Sequence, residues 1–348
     1  MQIKIGNRFI GDSHPAFLIA EIGSNFDGDM DRAKKLIRDA KDCGADAVKF
    51  QSFKASTIIC PKGFRNRSGF QAKWGKSVED VYKAAEFPRE WHGELMDYAK
   101  SLDLIWFSAP YDFEAVDILE GLGVDLYKVG SGDITWLEML EYIAKKNKPI
   151  ILGTGASTLA EVDEAVRTIE SAGNEQIILL QCVTNYPAHF EDANVAAIKT
   201  FRQTFGCLTG YSDHTPGSVV PLATIALGGC VIEKHFTDDK KRIGPDHPYA
   251  MDLNDFRQMS ESIRHLELAM GSPYKNLYPE ETDTVVLQRR CIRLSKDIKK
   301  GDNLTRENLT ILRPAPEDSI YPKYIQQVIG KVVKEDLEEG DYLRWDHL

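Results

Sequence analysis

Two lysines and two histidines stand where a chain has little reason to put them unless they do chemistry. Lys49 follows the apolar pair Ala47-Val48, and Lys128 follows Leu126-Tyr127. An ammonium at the end of a buried strand must be paired or must bind an anion, because a lone buried charge is costly. For either lysine alone, an ion pair with Glu21 or Asp133 serves as well as an anion site. Together with Ser131, in Gly130-Ser131-Gly132, they point to a phosphate or carboxylate site, since the N–H groups of such a turn can cradle an anion. His214, in Tyr211-Ser212-Asp213-His214, and His235, in Glu233-Lys234-His235, end two successive apolar runs. On neighbouring strands two imidazoles can share one divalent metal, with open positions for substrate and water. Singly, each reads as a hydrogen-bonded structural histidine. A hydrolytic zinc site needs a third strong ligand, and the sequence offers none that can be assigned. Asp246, in Gly244-Pro245-Asp246-His247, is either a turn residue or an acceptor for substrate hydroxyls.

The elements that must position these groups are short apolar runs alternating with amphipathic segments. The runs are Phe17–Ile22, Ala47–Gln51, Leu104–Ser108, Leu126–Val129, Ile150–Leu152, Ile177–Cys182, Cys207–Tyr211 and Cys230–His235. Continuous apolar runs fit parallel strands covered on both faces. Between them, Ala33, Leu36, Ile37 and Ala40, and then Val162, Ala165, Val166 and Ile169, recur at helical spacing. Eight strand–helix units over residues 1–271 predict an α/β fold, a (β/α)8 TIM barrel. A doubly wound open sheet is the competing architecture, but no glycine fingerprint follows the first strand. In a barrel, catalytic side chains come from the C-terminal strand ends. Here those ends carry Glu21, Lys49, Gln51, Ser108, Lys128, Ser131, Thr154, Asn185, Tyr186, Ser212, His214, Glu233 and His235. That set is too polar for ends that merely pack. Residues 272–284 are polar and turn-rich and read as a linker. Residues 285–348, with short alternating segments and turns at Gly301 and Gly340, predict a small β-rich domain.

With 43 Lys and Arg against 53 Asp and Glu, the net charge is -10. An acidic chain has no general electrostatic claim on nucleic acid or on an anionic membrane, so neither is expected as a partner. Six scattered cysteines, without a C-x-x-C pair, argue against a zinc ribbon or a disulfide scaffold and for reduced thiols in the cytoplasm. Met1 to Ile10 lacks the apolar stretch of a signal peptide. The most apolar window, Val219 to Ile232, is broken by Pro221, Gly228 and Gly229, too short for a membrane span.

In order along the chain, EIGSN (Glu21–Asn25), VKFQ (Val48–Gln51), YKVGSGD (Tyr127–Asp133), TNYP (Thr184–Pro187), GYSDHT (Gly210–Thr215), EKHFT (Glu233–Thr237) and GPDH (Gly244–His247) resemble the motifs of the sialic acid synthase family. KDIKKGDNLT (Lys296–Thr305) and Leu312-Arg313-Pro314 resemble that family's C-terminal antifreeze-like, or SAF, domain. The resemblance covers nearly the whole chain. It implies a transferase that condenses phosphoenolpyruvate with an open-chain N-acyl amino sugar, N-acetylmannosamine first. Diacetamido-trideoxy hexoses and a 6-phosphorylated sugar are the alternatives. It further implies Mn²⁺ or Mg²⁺ on His214 and His235, and phosphoenolpyruvate at Lys49, Lys128 and Ser131. Glu21, Gln51, Tyr186 and Asp246 would lie around the sugar and the reacting carbons, with Asn185 and Ser212 close by. Lys49, Lys128, Glu21 and Glu233 are the expected catalytic groups. Arg313 would reach the partner's site in a domain-swapped homodimer. Phe26, Ala109, Gly153 and Ala315 depart from the family pattern. Lys73, Trp74 and Lys76 fall in a segment like one in the animal enzymes, whose sugar is phosphorylated; solvated lysines are the preferred reading there. Two rivals stand beside this one. A metal-dependent hydrolase using His214, His235 and Asp246 leaves the lysines idle, and a non-catalytic carbohydrate-binding protein leaves the polar strand ends unexplained.

Overall fold

The apolar runs form one eight-stranded parallel sheet in a computed structural model that describes residues 1–64 and 76–348. After a short hairpin, β1 (Gln2–Ile5) and β2 (Arg8–Gly11), come β3 (Phe17–Glu21), β4 (Ala47–Ser52), β5 (Ile105–Pro110), β6 (Tyr127–Val129), β7 (Ile150–Gly153), β8 (Ile177–Cys182), β9 (Leu208–Asp213) and β10 (Val231–His235). The order is β5-β4-β3-β10-β9-β8-β7-β6. β5 lies against β6 and closes the ring, so the architecture is a (β/α)8 barrel. The chain divides into two compact units, Met1–Gly271 and Ser272–Leu348. Among the described residues no helix is long and apolar enough to cross a membrane. All six cysteines are unpaired thiols.

Strand alternation sorts the side chains. Phe17, Ile19, Ala47, Phe107, Leu126, Ile178, Leu208 and Val231 fill the inside of the barrel. Leu18, Ala20, Val48, Phe50 and Trp106 face outward onto the helices, meeting Leu36 and Ile37 of the helix Met30–Asp42. With a period of two, the inward register runs from Phe17 and Ile19 to Glu21, from Ala47 to Lys49 and Gln51, and from Val231 to Glu233 and His235. The lumen is therefore apolar at its base and charged at its C-terminal mouth. The outward neighbours at the same level, Lys234 and Asp213, pair with each other at 2.9 Å.

The N-terminal hairpin was not anticipated from the sequence. Ile5 and Ile10 join the cluster at the strand starts, closing the base of the barrel. The Gly6-Asn7 turn between two short alternating stretches is the signal that could have found it. The second unit contains β11 (Cys291–Leu294) and β12 (Leu309–Leu312), paired antiparallel, over a core of Ile292, Leu304, Ile320, Val328 and Leu343. A helix, Thr282–Gln288, crosses the point where the sequence ends its linker. Ala315 is buried and its N–H donates to the Val286 carbonyl at 2.9 Å, which accounts for a small residue there.

Phe26 is fully buried among Phe50, Phe87 and Trp91, with ring centres 5.5 to 6.2 Å away. A histidine would leave its ring nitrogens unsatisfied there, so phenylalanine suits this core. His92 lies against the same layer. It is 1% exposed, 2.5 Å from the Ser52 hydroxyl and 2.6 Å from the Arg89 carbonyl. Burial pushes its pKa down from 6.5 to about 4. The folded chain thus keeps this ring neutral where the unfolded chain binds a proton. Its stabilising contribution is complete above about pH 6.5 and is lost as pH falls toward 4. His92→Gln is expected to differ least from the parent at low pH, the gap narrowing by ~2 kcal/mol between neutrality and about pH 5. Urea unfolding at the two pH values measures it; an unchanged gap would refute the neutral-ring account.

Candidate active site

At the mouth, four buried charges meet. Lys49 ion-pairs with Glu21 and lies 3.6 Å from Glu233 Oε1. Lys128 lies 3.2 Å from the same oxygen, and the Ser212 hydroxyl donates to it at 3.2 Å. Gln51 donates its amide N–H to Glu21 Oε1 at 2.7 Å. All four charged residues are 5% exposed or less. The salt-bridge alternative thus holds for Lys49 toward Glu21, while Lys128 takes Glu233 and not Asp133. Burial opposes the charge on Glu233, yet Lys128 and Lys49 bring its pKa down to about 2. Burial likewise opposes the Lys49 ammonium, but Glu21 and Glu233 hold its pKa above the usual lysine value. Glu21 is fully enclosed; burial, helped by the repulsion of Glu233, outweighs Lys49 and pushes its pKa up to about 7. A Glu21 carboxyl raised toward neutrality can exchange a proton there, while Glu233 is held as a carboxylate.

Gly23 makes this crowding possible. Its φ is +53°, and a Cβ there would lie 2.9 Å from Glu21 Oε1 and 3.0 Å from Asp246 Oδ2. Only glycine accepts both the left-handed backbone and the close approach. Beside the cluster, the Ser131 hydroxyl accepts the Gly155 N–H at 2.9 Å. A Cβ on Gly153 would come within 2.8 Å of that hydroxyl. The departure at Gly153 thus leaves room for Ser131, whose hydroxyl also hydrogen-bonds the Cys182 thiol. Ala109 is buried at the end of β5 and supplies no hydroxyl.

The histidine rings of His214 and His235 face each other with centres 5.4 Å apart. His214 Nδ1 donates to the Val183 carbonyl at 2.7 Å, which leaves Nε2 as a lone-pair donor. His235 Nδ1 is buried without a hydrogen-bond partner and lies 3.7 Å from Asp246 Oδ2. Burial, with the neighbouring His235, lowers His214 to about 3, and burial lowers His235 as well. Two neutral imidazoles, one with an orphaned buried nitrogen, fit a divalent ion. Among the described residues no group of three His, Cys, Asp or Glu side chains is arranged to hold a metal, so any ion here keeps open positions.

A cavity of about 190 Å³ opens over His235 and Gln51, walled by Tyr82, Tyr111, Tyr186 and Tyr249. Tyr186 packs its ring 4.2 Å from that of His214 and 5.2 Å from Tyr249. Asp246 accepts the Tyr249 hydroxyl at 2.5 Å and the Ser24 hydroxyl at 3.2 Å. Burial pushes Asp133, behind this wall, up to about 6. Of the residues singled out from sequence, Asn185 is exposed and does not line the cavity. Ser108 and Thr154 serve structure, bonding Ser52 at 2.6 Å and the Leu180 carbonyl at 2.9 Å. Arg313 is exposed in the second unit. Lys73 and Trp74 lie outside the described residues; Lys76 is exposed. Sequence reasoning missed Tyr82, Tyr111 and Tyr249. Tyr111, directly after β5, carried a positional signal; Tyr82, on the helix Val78–Ala84, carried none.

A barrel with buried opposite charges, paired imidazoles and a polar cavity at its C-terminal strand ends is built as a TIM-barrel enzyme. The chain belongs to the NeuB family, whose model matches residues 36–275, and an SAF domain follows at 289–348. It is 39% identical to the N,N'-diacetyllegionaminic acid synthase of Campylobacter jejuni, over 94% of this chain and 98% of that protein. It is 38% identical to the protein of that name from Legionella pneumophila, over 97% and 96% of the two chains. The crystal structure of an N-acetylneuraminic acid synthetase from Leptospira borgpetersenii superposes with a TM-score of 0.73 at 29% identity, covering 82% of this chain and 95% of that one.

Glu233 holds both lysines, so Glu233→Gln should cost about 3–5 kcal/mol, as when one partner of a buried ion pair is removed. Urea unfolding measures it. A loss below about 1 kcal/mol would mean that the lysines are neutralised some other way.

Proposed function

We propose that this chain condenses phosphoenolpyruvate with an open-chain N-acyl amino sugar, giving a nine-carbon 2-keto-3-deoxy acid and phosphate. The observation that carries this reading is the buried Glu21–Lys49–Glu233–Lys128 cluster set beside His214 and His235. It joins an anion-binding half to a carbonyl-activating half, which neither a hydrolase nor a passive sugar-binding protein requires. The acceptor proposed is a diacetamido-trideoxy hexose, because relatives covering almost the whole chain bear the name of N,N'-diacetyllegionaminic acid synthase. N-acetylmannosamine, the first expectation from sequence, is the second acceptor, favoured by the likeness to an N-acetylneuraminic acid synthetase.

In this mechanism Lys49, Lys128 and the Ser131 hydroxyl bind the phosphate and carboxylate of phosphoenolpyruvate. Gln51, Tyr186 and Asp246 receive the sugar, and the tyrosine wall keeps bulk water from the reacting carbons. The methylene carbon of phosphoenolpyruvate attacks the aldehyde carbon and a carbon–carbon bond forms. Glu21, with a pKa near neutrality, holds the proton that the new alkoxide oxygen takes up. Water adds at the former enol carbon and returns one proton to Glu21. As the carbon–oxygen bond to phosphate breaks, the remaining hydroxyl proton passes to the phosphate, the 2-keto group forms, and the lysines stabilise the departing hydrogenphosphate dianion. His214 and His235 would hold Mn²⁺ or Mg²⁺, which when bound supplies Lewis-acid polarisation of the aldehyde oxygen. Assay of phosphate released from phosphoenolpyruvate, with each acceptor in turn, tests the reaction. Release that no sugar stimulates would refute it, and the ratio of kcat/KM values names the acceptor. Chelation should abolish turnover and Mn²⁺ should restore it; full activity in a verified metal-free sample would remove the metal from the account.

The SAF domain is proposed to act across a homodimer, with Arg313 completing the partner subunit's sugar site. A small tethered domain that docks reciprocally closes a C2 pair. Arg313→Ala is expected to weaken sugar binding more than phosphoenolpyruvate binding. Mixing Arg313→Ala with His214→Ala, each nearly inactive alone, should restore part of the activity through mixed dimers. With subunit exchange confirmed, no recovery would place the arginine in its own chain's site or outside any site.

A further inference from the structure

His247 is wholly buried, yet it touches neither the charged cluster nor the paired imidazoles. Its Nε2 lies 3.0 Å from Asp27 Oδ1, and its Nδ1 lies 2.7 Å from the Thr237 hydroxyl. With Nε2–H donating to Asp27, Nδ1 accepts the Thr237 proton, and both ring nitrogens are satisfied. The chain from Thr237 to Met251 makes a long excursion above β10. Its two ends are tied by backbone bonds, Thr237 N–H to the Met251 carbonyl at 2.9 Å and Met251 N–H to the His235 carbonyl at 2.8 Å. Between these ties the loop reaches solvent, with Ile243 96% exposed, and is held near its surface by Lys240 on Asp255 and Arg242 on Asp27. The His247 ring is the buried anchor of that excursion, and Asp246 is the residue immediately before it. Asp27, in turn, sits in the loop after β3 with φ +53° and is held by Arg242 at 2.6 Å and Arg32 at 3.3 Å. Gly244 packs directly on the imidazole; a Cβ there would stand 2.7 Å from His247 Cδ2.

We propose that His247, clasped to Asp27, is a positioning residue that fixes the Asp246 carboxylate beside His235 and thereby sets affinity for the sugar rather than for phosphoenolpyruvate. The kinetic form of this inference rests on the proposed condensation; its structural form does not. Without the clasp, the loop that carries Asp246 loses its buried anchor and keeps only its surface ion pairs, and the contacts of that carboxylate with Ser24 and Tyr249 loosen. Phosphoenolpyruvate, held by Lys49, Lys128 and Ser131, is untouched.

The test uses the full chain and phosphate-release kinetics with each substrate varied separately. His247→Leu should raise the sugar KM about tenfold or more, with the phosphoenolpyruvate KM within about twofold. His247→Gln, which keeps an N–H donor for Asp27, should recover most of the loss. In an Asp246→Ala background, adding His247→Leu should change the sugar KM by less than about twofold, because the two residues act as one unit. Should His247→Leu fail to fold, Gly244→Ala presses on the same ring and should give the same pattern more weakly. An equal rise in both KM values, no rescue by glutamine, or an undiminished effect in the Asp246→Ala background would overturn the proposal. If the unaltered chain releases no phosphate with any sugar, the functional reading alone fails. The crystal structure of His247→Leu, or of Gly244→Ala, then decides: Asp246 released from Ser24 and Tyr249 supports the clasp, and Asp246 unmoved overturns it.

Discussion

One carboxylate oxygen, Glu233 Oε1, answers to two buried ammoniums and a hydroxyl: Lys128, Lys49 and Ser212. Two lysines inside a barrel mouth would otherwise repel each other and shed their protons or swing to solvent. Everything around them follows from this constraint. β10 must run beside β3 and β9 so that Glu233 faces the lumen; the register pairs Glu233 with Ile19 and Ser212, and His235 with Glu21. Glu21 is then left with a share of Lys49 and the Gln51 amide, and burial pushes its pKa up to about 7. An arrangement that fully satisfied Glu21 would have made it a fixed charge with no proton to exchange.

The same alternation explains why one strand can carry both chemistry and scaffold. On β10, Glu233 and His235 point inward to the site while Lys234 points outward and pairs with Asp213 of β9. The outward pair ties the two strands that deliver His214 and His235 by a buried bond on the far side of the sheet. This is how a barrel holds a site rigid without spending inward positions on support.

The eight strands and their order were legible because both faces are covered, leaving unbroken apolar runs, and because the polar residues gather at one end of each run. The paired lysines and histidines were legible for the same reason: charge at the end of an apolar run is rare. The partner of Lys128 was not, because β6 and β10 lie apart in the sheet order and meet only across the lumen, a distance that sequence spacing does not encode. Nor was the tyrosine wall. Tyr82, Tyr111 and Tyr249 come from a helix, a loop and a short turn, elements with no shared period to betray that they converge. The hairpin Gln2–Gly11 was overlooked for another reason: the apolar residues at Ile3, Ile5 and Ile10 are too few to stand out until the barrel base gives them something to cover.

The departures from the family pattern show a similar compensation between neighbours. Gly153 lacks a side chain, and the space it leaves is taken by the Ser131 hydroxyl, which a Cβ would displace. Gly155, two residues on, donates its N–H to that same hydroxyl and also has no room for a Cβ. A hydroxyl absent from one strand end is thus matched by one fixed at the next. The placing of the Ser131 hydroxyl therefore depends on how β6 and β7 pack as a pair, so a substitution at Gly153 is felt at Ser131.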